Sequence, residues 1–343
     1  MRILKMKSSF LREFLMSLES FGTLYGPKHQ NGILTYGPIT KYDDLVLDGE
    51  NTLIPLKKLF HPMRFDMFRF DSNGFKPDYS IFEKRVIIGV HPCEIHGILK
   101  LDEVFLANPP DPYYEGLRKS SAIIGFSCLP NESALCRSTG TDIVEEGFDL
   151  FFVDLADFYL VWVGSSIGHD MILEKEDYFD ENVTHDDIQT YVEWRENRNM
   201  MFKRSFNFRD MPDIIELSYK SEIWDYFANK CLSCGQCSMV CPTCNCYNVI
   251  DILDLSTETS GRRERVWDSC MFVDYSLVAG GHNFRGDRAD RLKLWYTHKL
   301  KAFAHEYGSP GCVGCGRCVD TCPVDINVLT VSEALTRCEV PGE

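Results

Sequence analysis

No stretch of this 343-residue chain is apolar for long enough to cross a bilayer. The most apolar segment, 150–163, is broken by Asp154 and Asp157. The first eighteen residues carry Arg2, Lys5, Lys7, Arg12 and Glu13, which excludes a signal-peptide pattern there. Positive charge is also short. Lys and Arg number 36 against 51 Asp and Glu, a formal net charge of -15 that excludes a nucleic-acid partner held by its phosphates. No G-x-G-x-x-G follows an apolar run and no P-loop occurs, so no nucleotide-binding fingerprint is visible. These absences predict a soluble, cytoplasmic protein with no transmembrane segment.

Cysteine is abundant, at fifteen residues. In a reducing compartment so many thiols are not a disulfide framework; they are metal ligands, reactive thiols or small buried hydrophobes. Only Cys93, Cys128 and Cys136 lie in the first 230 residues, and the other twelve fall between Cys231 and Cys338. This shift predicts an α+β chain: a mixed α/β docking domain over 1–220, then an α-helical, ferredoxin-like two-cluster domain over 221–343.

In the first part, 86–90, 122–126, 149–155 and 158–163 read as strands, and 93–105 has helical spacing. Polar residues 172–205 contain a helical stretch around 188–202. In the second part, 221–230, 287–307 and 324–336 read as helices, with the Gly308 to Gly311 segment stopping the second. Strand signals are sparse, and helical segments are expected to fill the gap between the cysteine runs.

Those runs are Cys231-Leu-Ser-Cys234-Gly-Gln-Cys237-Ser-Met-Val-Cys241-Pro242 and Cys312-Val-Gly-Cys315-Gly-Arg-Cys318-Val-Asp-Thr-Cys322-Pro323. Both fit C-x2-C-x2-C-x3-C-P, the ligand run of bacterial-type [4Fe–4S] sites. Two-residue gaps let three thiolates converge on one cubane, while the fourth points away and ligates the other cluster. The expected sets are therefore Cys231, Cys234, Cys237 and Cys322 for cluster one, and Cys312, Cys315, Cys318 and Cys241 for cluster two. Zinc is the competing metal, but its sites pair two C-x2-C knuckles and need no third cysteine with a following proline.

Six further thiols, Cys93, Cys128, Cys136, Cys244, Cys246 and Cys270, are candidates for a third iron–sulfur site. Each also reads as a small buried hydrophobe. Cys338 has no evident role. His91, His96, His282 and His298 are candidates for tuning potentials or passing protons, or are structural. The basic stretch Arg262-Arg263-Glu264-Arg265 offsets cluster charge, faces an acidic partner, or is a solvated face.

The segment from Cys231 to Cys246, then Gly261 to Arg265, Trp267 to Cys270, Gly281 to Arg285, His298-Lys299 and Cys312 to Cys318, resembles the A component of anaerobic sulfite reductase and the beta subunit of soluble sulfhydrogenases. The N-terminal half agrees more loosely, through Val90 to Ile95, Leu101-Asp102, Val104 to Leu106, Asp111 to Tyr114 and Cys136 to Thr141. The family often has Cys-x-Cys where this chain has Ala134-Leu135-Cys136. The resemblance implies an electron-transfer role, with electrons passing between a catalytic subunit that holds sirohaem or nickel–iron and a flavin/NAD(P)H-type subunit. It implies no bond chemistry in this chain. A self-sufficient oxidoreductase binding a flavin or small substrate, and an iron–sulfur redox sensor or scaffold, are the competing functions.

Overall fold

The computed structural model describes residues 2–257 and 259–340. Its elements form two sheets and a helical layer. The larger sheet takes eight strands: β1 (Arg2–Lys7), β2 (Thr23–Gln30), β3 (Ile33–Pro38), β6 (Arg85–Val90), β7 (Ser121–Phe126), β8 (Leu150–Asp154), β9 (Phe158–Val163) and β10 (Phe179–Asp180). Their order is β10-β1-β9-β8-β7-β6-β2-β3. The four central strands β2, β6, β7 and β8 run parallel, and antiparallel strands close both edges.

Parallel strands buried on both faces need apolar residues throughout, and β6 and β7 meet that requirement with Val86, Ile87, Ile88, Ile123 and Ile124 at 1% exposure or less. One face packs on the helix Leu11–Ser17 through Leu11, Phe14 and Leu15. The other packs on the helices Pro92–Phe105 and Pro112–Lys119 through Ile95, Ile98, Leu101, Tyr114 and Leu117. Pro92 and Pro112 sit at the first helical position, where a missing N–H costs nothing.

The smaller, antiparallel sheet draws on both halves of the sequence. Its order is β11 (Tyr247–Leu253), β12 (Gly261–Trp267), β4 (Arg64–Asp71), β5 (Gly74–Pro77). Contrary to the expectation from sequence, the gap between the cysteine runs is not filled by helical segments alone: its first part is the β11–β12 hairpin. Val249, Ile250 and Ile252 supply β-branched side chains there, and β12 gains a partner in β4, with Arg265 opposite Phe65. The helix expected over 287–307 is present as Arg288–Thr297 and Phe303–Tyr307, joined by one π-helical turn over His298–Ala302. The helices Met211–Leu217, Ile223–Lys230, Arg288–Thr297 and Val328–Arg337 surround a core of Trp224, Phe227, Leu292, Trp295, Tyr296 and Leu329. That core includes Cys231 and Cys312.

Candidate iron–sulfur centre

Each cysteine run begins as an irregular loop and turns into a short helix. The two loops repeat the same backbone signs. The third position is left-handed in both (Ser233 at φ +50°, Gly314 at +59°), and so is the fifth (Gly235 at +73°, Gly316 at +80°). Glycine takes that conformation at no steric cost, which explains three of the four. The helices Gln236–Met239 and Arg317–Thr321 follow. Within the loops, backbone N–H groups donate to sulfur: Ser233 to Cys231 Sγ (3.4 Å), Gly314 to Cys312 Sγ (3.4 Å), and Ile326 to Cys322 Sγ (3.2 Å). Such donors favour a charged thiolate over a neutral thiol.

The geometry brings the sequence-derived residues together across the two runs. One cavity is lined by Cys231, Cys234 and Cys237 of the first run and Cys322 of the second, with Met271, Leu292, Trp295, Tyr296 and Ile326 as its apolar wall. Cys241 of the first run instead faces the second. Its charge is felt by Cys312, Cys315 and Cys318. Tyr296, 2% exposed, stands between the groups: burial raises its pKa well above the phenolic value, with further contributions from Cys318, Cys237, Cys322 and Cys231. All fifteen cysteines are free.

The cavity suits a cubane. The indole N–H of Trp295, on its wall, is buried with no hydrogen-bond partner. An orphaned donor beside four convergent sulfurs calls for an acceptor such as inorganic sulfide. Among the described residues no three His, Cys, Asp or Glu side chains are gathered as they would be around one metal ion. A cage whose corners each take one thiolate asks for wider spacing than a single ion does.

Three cations complete the second group, two of them from outside the cysteine runs. Lys299, on the π-helical turn, donates to Cys241 Sγ (3.3 Å), Thr243 Oγ1 (2.8 Å) and the Gly311 carbonyl (2.9 Å). Burial opposes its charge, but the Cys241, Cys244 and Cys312 sulfurs outweigh that and hold the ammonium well above its ordinary pKa. Lys57 donates to the Ser238 (3.1 Å) and Cys244 (2.9 Å) carbonyls. Arg317 donates to the Thr52 carbonyl (2.7 Å) and pairs with Glu94; both side chains are buried. Under these influences the Cys241 thiol lies well below its ordinary pKa, through a hydrogen bond from Cys244 first and then Lys299 and Lys57. Lys299 and Arg317 stood in the sequence motifs without a role. Lys57, about 180 residues from the run it serves, gave no local signal.

The second loop is clamped to the α/β layer. Leu135 N–H donates to the Gly314 carbonyl (2.7 Å), Thr141 Oγ1 to the Val313 carbonyl (2.7 Å) and Asn51 Nδ2 to the Cys315 carbonyl (3.1 Å). Cys234, in the first loop, is exposed. The second group is thus enclosed by the α/β layer, and the first reaches the surface.

The six other thiols do not assemble in one place. Cys93 and Cys136 pack with Val313 beside Cys315, and burial, with a smaller contribution from Cys128, raises both their pKa values. Cys244 hydrogen-bonds Cys241. Cys246 and Cys270 are coupled, the first pushed down to about 6 by its neighbour and the second pushed up. Cys338 is exposed. Among the histidines, His91 is buried after β6 and pushed down to about 4 by burial, His96 bonds the Ile143 carbonyl (2.7 Å), His282 stacks edge-on against Phe284, and His298 lies in the π-helical turn. The basic stretch lies in β12. Arg263 pairs with Asp251, Arg262 with Glu264, and the buried Arg265 with Asp111.

Comparison with known proteins agrees with this geometry. A 4Fe-4S dicluster domain matches residues 230–326. Over 331 residues the chain is 43% identical to sulfhydrogenase 2 subunit beta of Pyrococcus furiosus, covering 96% of this chain and 97% of that protein.

Proposed function

The chain belongs to the family of the soluble sulfhydrogenase beta subunits, an iron–sulfur electron-transfer family, and from that premise we propose that it relays electrons between a catalytic subunit of the hydrogenase or sirohaem-reductase kind and a flavin/NAD(P)H-type subunit, in the cytoplasm. No helix among the described residues is long and apolar enough to cross a membrane. The chain performs no bond chemistry of its own in this reading.

The observation that carries it is the cavity where Cys322 of one run meets Cys231, Cys234 and Cys237 of the other. We assign cluster one to these four and cluster two to Cys241, Cys312, Cys315 and Cys318. Each cluster, when bound, takes up and returns one electron. The chain supplies the rest. Backbone N–H groups and Lys299 stabilise thiolate charge, Trp295 and Tyr296 exclude water, and exchange of the fourth ligand holds the two sites side by side. Segment 221–343 carries the clusters. Segment 1–220 docks partners and, through Leu135, Thr141 and Asn51, braces the second loop.

Replacing Cys322 by Ser tests the exchange. The anaerobically purified variant is expected to lose the signal of the cluster built on the first run, keep the other, and lose donor-to-acceptor turnover. Retention of both dithionite-bleachable clusters with normal turnover would overturn the assignment.

One observation favours a second reading, a chain that binds its own flavin or small substrate. A cavity of about 380 Å³ lies beyond the carboxyl ends of β6 and β7, where open α/β sheets bind ligands. Trp162, Tyr191 and Trp194 line it, with Ser127, Asp142 and Arg195 as polar groups. Flavin in the purified single chain, or turnover with NAD(P)H alone, would establish that reading.

A further inference from the structure

Two thiols outside the ligand sets meet at the open end of the β11–β12 hairpin. Cys246 directly precedes β11, and Cys270 follows β12 by three residues. The register that pairs Tyr247 with Trp267, and lets Asp268 N–H donate to the Cys246 carbonyl (3.1 Å), puts Cys246 opposite Asp268, two residues before Cys270. Cys270 first, and then the Tyr275 hydroxyl, favour the charged form of the Cys246 sulfur against the opposing effect of burial. The Lys57 ammonium lies close by. Cys246 is half-buried and Cys270 buried.

Convergent donors and a cation are what make a cysteine sulfur a nucleophile, and a second thiol bonded to that sulfur is what resolves the product. We propose that Cys246 and Cys270 form a redox-active dithiol that closes reversibly to a disulfide in exchange with small organic disulfides. The Cys246 sulfur attacks one sulfur of the organic disulfide, forming a mixed disulfide and releasing one thiolate. The Cys270 thiol gives up its proton and attacks the Cys246 sulfur, releasing the second. The chain loses two electrons and two protons, and one organic disulfide becomes two thiols. Two equivalents of thiol reverse the exchange.

The couple touches the electron route without belonging to it. Ser269 Oγ donates to Ser238 Oγ (3.0 Å), and Ser238 favours the charged form of both the Cys270 and the Cys237 sulfur. A Cβ on Gly235 would come within 3.1 Å of Ser269 Cβ and 2.6 Å of the Phe272 ring. Closing the disulfide redirects Cys270 and changes the donors around Cys237, so the thiol state of the surroundings is registered at the first ligand loop.

The test uses the iron-loaded full chain, treated anaerobically with oxidised glutathione, quenched with iodoacetamide and mapped by peptide mass spectrometry. A 246–270 crosslink is expected, opened again by excess reduced glutathione, with iron content unchanged throughout. Cys246→Ser should abolish the crosslink while keeping the full iron complement, and Cys270→Ser should do the same if it folds. The proposal is overturned if no such crosslink forms while the exposed Cys338 is glutathionylated. It is equally overturned if Cys246→Ser loses about half of its iron, which would make Cys246 a ligand.

Discussion

Lys299 places one buried positive charge against the assigned second cluster, and its removal has a computable consequence. Its Nζ lies 3.3 Å from Cys241 Sγ. At an effective dielectric of about 20, a unit charge at that distance is worth about 5 kcal/mol. That figure is a ceiling, because an added electron resides on iron beyond the sulfur. Doubling the separation halves it to roughly 2.5 kcal/mol, on the order of 100 mV at about 59 mV per tenfold for one electron. Reduction adds negative charge, so losing the cation disfavours it. Lys299→Met is therefore expected to lower the potential of one cluster by on the order of 100 mV, with a far smaller shift in the other. Lys299→Arg, which keeps the charge, should stay near the parent value. Because neighbouring sulfurs hold the Lys299 pKa well above normal, the difference should be the same at pH 6 and pH 9. Redox titration followed by electron paramagnetic resonance reads both clusters separately. Equal shifts in both, or none in either, would refute the placement of Lys299 beside one cluster only.

Three further outcomes follow from the same packing. Glu94→Gln strands the buried Arg317 guanidinium without its countercharge and should cost about 3–5 kcal/mol in urea denaturation of the loaded chain. Gly314→Ala puts a Cβ 2.4 Å from the Leu135 carbonyl at a residue with φ +59°; left-handed strain and overpacking together cost roughly 3 kcal/mol, read as a lower melting temperature and poorer iron retention. Burial pushes His61 down to about 3 and His91 to about 4 from an ordinary 6.5. The denatured chain binds protons below pH 6.5 that the folded chain refuses. This part of the stability is complete above pH 6.5 and falls as pH drops towards 4, by about 1.4 kcal/mol per pH unit per histidine. His61→Phe should lower that slope by about 1.4 kcal/mol per pH unit between pH 6 and 4 in urea denaturation at stepped pH.

The two cysteine loops were legible in the sequence because their pattern is local. A thiolate loop needs fixed spacing and glycine at fixed offsets, and both are written within twelve consecutive residues. The central parallel strands were legible for the same reason, since 86–90 and 122–126 are unbroken apolar runs. What escaped is non-local. β1 buries Leu4 and Met6 on alternate positions, but Lys5 between them and Arg2 and Lys7 on either side mask the run. β2 and β3 turn at Asn31-Gly32, both at positive φ, a hairpin signal that was there to be read. β11 and β12 were hidden by the expectation that cysteine runs are joined by helices. Their stability comes from β4, almost 200 residues earlier, which no local pattern announces.

That long-range pairing bears on how the centre is held. A thiolate loop cannot set its own rigidity, because its backbone spends its N–H groups on sulfur rather than on a ladder. The second loop is instead fixed from outside, by Leu135, Thr141 and Asn51 on its carbonyls and by Glu94 on Arg317. The first loop is fixed by Lys57 and by the segment after β12, itself anchored through β4. Every one of these braces except the segment after β12 originates before residue 142, and that segment depends on β4 for its place. An isolated 221–343 fragment would keep all eight assigned ligands yet lose the groups that hold them in position. The composition boundary at 220 therefore marks where the cysteine-rich part begins, while the mechanical unit that orders the two runs extends through most of the chain.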